Sequence, residues 1–232
     1  MKRHFSFLLV VSMVFAASVA LAAIATTPHD FTAAGPGVEL TGATVCGTCH
    51  IPHGGDTTVT GAPIWARTLP GAGTFTVYGN TGTAGSSFTV SNTTVNSPGV
   101  FSLTCLSCHD GALGINTITK NGISSSYAVV AATTHVNATG YIIFAPDANG
   151  YSPYIGKNLQ NDHPVGIEYR APADVPLAGL VAQANAGYAA ANLPLFGDRV
   201  ECASCHDPHD NSRTKFLRVV PANICTDCHG AK

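Results

Sequence analysis

The chain has 232 residues, and its 11 Lys and Arg stand against 13 Asp and Glu for a formal net charge of −2. It is only 10% charged but carries 24 glycines and 14 prolines. Such a composition has no basic stripe for nucleic acid. It also disfavours long helices, and it offers few Leu, Ile and Phe to pack into an ordinary core.

Taken in order, the chain opens on a secretory signal peptide, residues 1–25. Lys2 and Arg3 form a basic start, Phe5 to Val19 is apolar, and Ala23-Ile24-Ala25 is a small-x-small cleavage site. The apolar run is too short and wrongly flanked for a stable membrane span, and no later run is long enough to cross a bilayer. No cysteine follows the cleavage region to accept a lipid. The mature part, residues 26–232, then reads as one secreted domain with 9 basic and 13 acidic residues.

Residues 26–60 are expected to be coil with short turns. Residues 71–100 alternate β-branched and aromatic residues about a Gly/Asn/Ser centre and predict a strand-turn-strand. An Ala-rich stretch bracketed by Pro172, Pro176 and Pro194 predicts one helix near Leu177 to Ala190. Trp65 and the tyrosines read as packing groups rather than redox relays.

All eight cysteines fall into four C-x-x-C-H units: CGTCH (46–50), CLSCH (105–109), CASCH (202–206) and CTDCH (225–229). In such a unit two thiols form thioethers with the haem vinyl groups, and the following histidine ligates the iron. Cys46, Cys49, Cys105, Cys108, Cys202, Cys205, Cys225 and Cys228 are therefore the attachment sites of four haems c. His50, His109, His206 and His229 are the proximal ligands. Structural zinc or a disulfide framework would use cysteine pairs too, but neither explains a histidine after every second cysteine. Four covalent haems would also supply the apolar core that the composition lacks. The fold expected is a mostly irregular multihaem c-type cytochrome, with few short helices and strands wrapped around four stacked haems. The last two units lie close together in sequence and suggest a stacked pair.

Methionine is excluded as a distal ligand, because Met1 and Met13 are the only methionines and both fall in the signal peptide. Histidines are the leading candidates, and Tyr and Lys stay open although no spacing points to them. Five candidates remain: His29, His53, His135, His163 and His209. His53 and His209 occupy matching contexts, CHIPHG and CHDPHD. A histidine three residues past a proximal ligand cannot reach the far face of its own haem, so each should serve a neighbouring one. Pro164 biases His163 to extended backbone, and Asp162 and Asp30 are placed to orient the imidazoles of His163 and His29. His135 has no such neighbours and is the expected spare.

The run TPHDF, CGTCHIPHGG, CLSCHDG, NDHPVG, CASCHDPHDN, KFLR and CTDCHGAK resembles the small multihaem cytochromes of metal-reducing bacteria with paired C-x-x-C-H units. It is most similar to their filament-forming tetrahaem members on the outer surface. The resemblance implies His29, His53, His163 and His209 as distal ligands and leaves His135 unassigned. It also implies a head-to-tail homopolymer in which one distal histidine comes from the adjacent subunit. On that basis His53 is assigned to the haem of Cys225 and Cys228 in the next copy. The intramolecular alternative sends His53 to the haem of Cys105 and Cys108 and His209 to the last haem.

The function expected is electron transfer through four bis-histidine haems, with no enzymatic activity, at the cell surface or outside the cell. A soluble periplasmic shuttle and a multihaem reductase with one open haem are the alternatives. No nucleic-acid partner and no membrane span are expected. The redox partners are left unassigned.

Overall fold

The computed structural model describes residues 24–80, 89–90, 95–168, 188–189 and 193–225. Most of this is coil and turn, stitched by short elements. The α-helices among the described residues are α1 (Val100–His109) and α2 (Cys202–Cys205), with single 3-10 turns at Ala72–Thr74, Leu159–Asn161, Thr214–Phe216 and Pro221–Asn223. The strands are β1 (Gly79–Asn80), β2 (Thr89–Val90), β3 (Thr117–Lys120), β4 (Ile123–Ser126), β5 (Ile167–Glu168), β6 (Tyr188–Ala189), β7 (Leu193–Pro194) and β8 (Arg199–Val200). They pair as β1 with β2, β3 with β4, β5 with β8 and β6 with β7. No helix among the described residues is long and apolar enough to cross a membrane.

Two expectations need correction here. Around the predicted strand-turn-strand, the paired strands among the described residues are β1 and β2, and these run parallel rather than as a hairpin. The longest paired strands are instead β3 and β4, antiparallel from Thr117 opposite Ser126 to Lys120 opposite Ile123. Asn121 and Gly122 close them with φ of 50° and 74°, the left-handed pair that a two-residue hairpin turn demands. The predicted helix near 177–190 lies mostly outside the described residues, and its end at Tyr188–Ala189 is strand, not helix.

The core is divided. One cluster joins Phe31, Val38, Leu40, Ile115, Val136 and Ile142, with Cys108 packed against it. A second joins Phe75, Leu106 and Leu159, with Leu103 against it. Helix α1 contributes to both, so the second C-x-x-C-H unit sits where the two small cores meet. The helix starts after the Pro98-Gly99 pair and ends at Asp110, whose N–H donates to Leu106 O. Gly111 then turns the chain with φ 69°, and a Cβ there would stand 2.2 Å from the Tyr154 ring.

Gly111→Ala therefore combines left-handed strain with a steric clash and should cost about 2–3 kcal/mol. Gly122→Ala has similar strain, at φ 74°, but meets open space and should cost about 1 kcal/mol. Guanidinium unfolding of the two variants measures the difference.

Candidate haem-binding site

The seven cysteines among the described residues, Cys46 to Cys225, are all free thiols. Their pairs are thus available for thioether formation rather than joined in disulfides. Cys228 and His229 lie outside the described residues. No three of the described His, Cys, Asp and Glu are gathered closely enough to hold a bare metal ion.

Each described proximal histidine is held the same way. Nδ1 meets a backbone carbonyl: His50 at Pro63 O (2.8 Å), His109 at Pro153 O (2.7 Å) and His206 at Lys215 O (2.8 Å). An imidazole that donates from Nδ1 presents the Nε2 lone pair to a metal and cannot rotate away. The residues therefore fit the group that the motif implies.

The first and third units go further and repeat one backbone module. Past His50, the Ile51 N–H donates to Ile64 O, and the Ala66 N–H returns to Cys49 O. Past His206, the Asp207 N–H donates to Phe216 O, and the Arg218 N–H returns to Cys205 O. Isolated bridges join His50 to Trp65 and His206 to Leu217 at the same relative place. Ile64 and Phe216, also equivalent, both take positive φ, 53° and 59°. A returning segment thus clamps the carbonyl side of each histidine. Nothing in the sequence marks this clamp, because the returning residues share no motif.

Two of the candidate distal histidines lie against proximal histidines of other units. The His209 ring is centred 6.1 Å from that of His50, with planes 22° apart. The His29 ring is centred 6.2 Å from that of His109, with planes 64° apart. An iron bonded to two imidazoles at about 2.0–2.1 Å, the distance imidazole takes with zinc, separates ring centres by about 6.3–6.5 Å. Both separations are close to that value.

His29 is stacked on Phe216 at 4.5 Å. Burial first, then the nearby His109, His209 and His206, lower its pKa to about 4. It is consequently the free base at neutral pH, the form that can ligate iron. Burial also pushes His109 below its ordinary value.

The orienting roles expected of two carboxylates are not what the structure shows. Asp30 instead accepts from the N–H groups of Thr26 (2.9 Å) and Thr32 (3.1 Å) and from the Thr32 hydroxyl (2.6 Å), which folds the turn around His29. The exposed His163 turns Nδ1 to Pro164 O at 3.0 Å, and Asp162 Oδ2 is buried without a hydrogen-bond partner. His53 is exposed. His135 is half-buried, and its Nδ1 has no hydrogen-bond partner.

The attachment points of different units approach one another. The Cys105 thiol donates to Phe101 O at 3.5 Å; the neighbouring Cys202 thiol first, and burial second, hold Cys105 well above the ordinary thiol range. The nearness of Cys105 draws Cys202 down. Burial first, then Cys108 nearby, raises Cys49 to about 11.

Glu201 organises the contact between units two and three. It is 2% exposed, and its carboxylate accepts from Gly99 N at 3.1 Å and from the Ser102 hydroxyl. Ser102 Oγ in turn accepts from Cys202 N at 2.9 Å. Glu201 therefore caps α1 from a distant part of the chain while its own backbone N–H donates to Ser204 Oγ at 3.0 Å. A Cβ on Gly99 would lie 2.5 Å from Glu201 Oε1, so the close approach requires glycine. The sole sign of this cap in the sequence is a glutamate just ahead of a C-x-x-C-H unit, and that is a weak one.

Repeated C-x-x-C-H units with carbonyl-held histidines, on a coil scaffold with few short elements, have the character of a multihaem c-type cytochrome. Residues 195–232 match the family model described as the doubled CXXCH motif, and this supports the same class and its electron-transfer chemistry. No curated protein matches the chain.

Proposed function

We propose that the chain carries four covalently bound, bis-histidine haems c and passes electrons among them, as the repeating subunit of an extracellular filament. The observation that carries the reading is the pair of cross-unit histidine contacts, His209 at His50 and His29 at His109, both near the separation an iron would impose. Haem, when bound, supplies a one-electron ferric/ferrous couple. The chain's own part is to hold and space it. Cys46/Cys49, Cys105/Cys108, Cys202/Cys205 and Cys225/Cys228 anchor the four groups. His50, His109, His206 and His229, together with His209, His29, His163 and His53, would hold the irons.

Under this assignment His209 serves the haem of Cys46 and Cys49, not the C-terminal one. With both axial positions filled by imidazole, no coordination site is left for a substrate, and the protein is a carrier rather than an enzyme. The contact of Cys105 with Cys202 supports close approach of two haem edges, which favours electron passage between them.

The filament reading rests on His53. It occupies in the first module the place that His209 occupies in the third, and His209 lies at another unit. His53 is exposed, so a haem of the next copy can reach it. Joining an N-terminal histidine to a C-terminal haem is a head-to-tail contact, which builds open filaments when the rotation does not close. The signal-peptide pattern of residues 1–25 supports export across the inner membrane, and the filament reading puts the assembly at the cell surface or outside the cell.

Intact mass and haem staining of the secreted protein should give four haems, and electron paramagnetic resonance should find all four low-spin. Fewer haems, or a cyanide-binding haem in the wild type, would falsify the assignment. His53→Ala should remove filaments seen by negative-stain microscopy while haem content stays at four. Fully low-spin wild-type monomers would leave a periplasmic shuttle as the correct reading.

A further inference from the structure

The segment that returns along the first C-x-x-C-H unit carries two buried donors with nothing to donate to. Trp65 Nε1 and Arg67 Nε are both shielded from solvent and lack a hydrogen-bond partner. An indole N–H and a guanidinium N–H can only donate, so each needs an acceptor. Leaving either unmet forfeits its hydration with nothing in return, and the loss is greater for the charged group.

Arg67 is the more demanding of the two. It is 4% exposed, and its terminal nitrogens are already committed to backbone carbonyls: to Gly114 O at 2.9 Å, to Thr117 O at 2.8 Å and to Ile115 O. These bonds orient the guanidinium but bring no negative charge. No carboxylate among the described residues lies within ion-pair distance of it. Arginine cannot shed its proton to escape burial. A buried, uncompensated cation of this kind calls for an anion that the polypeptide does not supply.

The place of the two donors identifies the anion. The Trp65 ring lies edge-on to His50, 5.6 Å between centres, and its backbone bridges to His50. Between Trp65 and Arg67, the Ala66 N–H is bonded to Cys49 O at 2.8 Å. Both donors are thus fastened to the unit at 46–50. A haem c attached there brings two carboxylates, the propionates, each of which is met either by solvent or by donors of the chain. We propose that Arg67 Nε and Trp65 Nε1 hold a propionate of the haem attached at Cys46 and Cys49, and that this pairing sets its potential. The proposal rests on the haem-loading reading above.

The electrostatic sign is definite. A propionate near the iron stabilises the more positive ferric form. A buried guanidinium bound to it cancels that effect and raises the reduction potential. The equivalent position in the third module, four residues past the carbonyl that clamps the histidine, is Val219. The third module's Arg218, one residue earlier, is paired with Asp207 at 3.0 Å. The first module therefore offers its haem an unpaired cation and the third a neutralised one, which separates the potentials of the first and third haems.

The test uses the full-length, haem-loaded protein. Haem count, a spectroelectrochemical titration and resonance Raman of the propionate bending bands are measured for wild type, Trp65→Phe, Arg67→Lys and Arg67→Met. Arg67→Met should move one haem about tenfold toward the ferric form, the order of effect of one unit charge beside the macrocycle. That is a fall of about 59 mV for one electron. Arg67→Lys should recover most of it. Trp65→Phe, which keeps the ring and loses only the donor, should shift the propionate bands and lower the same potential by about threefold in the equilibrium. If Arg67→Met fails to accumulate, Trp65→Phe and Arg67→Lys carry the test. Unchanged bands and potentials in those two variants, at full haem loading, overturn the proposal alone. A wild-type chain with no haem at Cys46 and Cys49 overturns both it and the parent reading.

Discussion

His209→Ala should convert one haem, that attached at Cys46 and Cys49, from low-spin to high-spin while all four haems stay covalently attached. The expected signature is loss of about a quarter of the low-spin signal and binding of one carbon monoxide per reduced chain, because a five-coordinate haem has an open position. The prediction follows from the 6.1 Å separation of the His209 and His50 rings. His29→Ala should do the same to the haem of Cys105 and Cys108, from the 6.2 Å approach of His29 to His109. His29 also stacks on Phe216, so that variant should lose packing as well, and its unfolding midpoint should fall further than that of His209→Ala. Assigning the affected haem in each case requires a proximal marker. Pairing each alanine variant with a Cys-to-Ala pair at the same unit should remove the high-spin signal altogether. A high-spin signal that survives loss of Cys46 and Cys49 in the His209→Ala background would break the assignment.

Glu201→Ala should be among the most damaging substitutions outside the motifs. It strips an acceptor from the Gly99 N–H and the Ser102 hydroxyl, both at the start of α1, and leaves Ser102 to hold Cys202 alone. Charge-assisted bonds of this kind, once broken in a buried place, cost about 1.5–3 kcal/mol each, and we expect a loss of about 3 kcal/mol in guanidinium unfolding of the haem-loaded chain. Glu201→Gln should retain part of this, since one side-chain oxygen still accepts from Gly99.

The acid itself adds a pH dependence. Burial first raises the Glu201 pKa, against the opposing bonds from Ser102 and Gly99. A carboxyl with a higher pKa folded than unfolded binds more protons in the native state. Its contribution is complete below the ordinary glutamate range and is lost as pH rises through the raised value. Stability of the wild type should thus fall across that interval, and Glu201→Gln should flatten the fall. A wild-type profile that rises there, or a Gln variant with the same slope, would contradict this assignment of the slope to Glu201.

Much of the site is legible in the sequence, for a physical reason. Haem attachment is a local event: two thioethers span one porphyrin edge, and the next residue meets the iron. Cys105, Cys108 and His109 consequently declare their role within five adjacent letters. The coil-rich architecture is legible in the same way, since Gly and Pro act on the backbone where they stand. The β3–β4 hairpin is also written locally, in Asn121-Gly122, a turn signal shorter but more specific than the alternation at 71–100.

What the sequence by itself determined is the motif at each unit: the cysteine pair that marks haem attachment, the histidine that follows it, and the lack of any methionine beyond Met13 to serve as a distal ligand. Only the tertiary structure decided which units meet. His209 lies beside His50 and His29 beside His109 because the chain closes over long loops, and nothing in the spacing of those residues encodes the closure. The carbonyl clamps at Pro63, Pro153 and Lys215, the cap that Glu201 lends to α1 and the unmet donors of Trp65 and Arg67 are of the same kind. Each is a hydrogen bond, or the want of one, created where two distant segments bury each other's polar groups. Burial is a property of the assembled chain, and no single stretch of residues carries it.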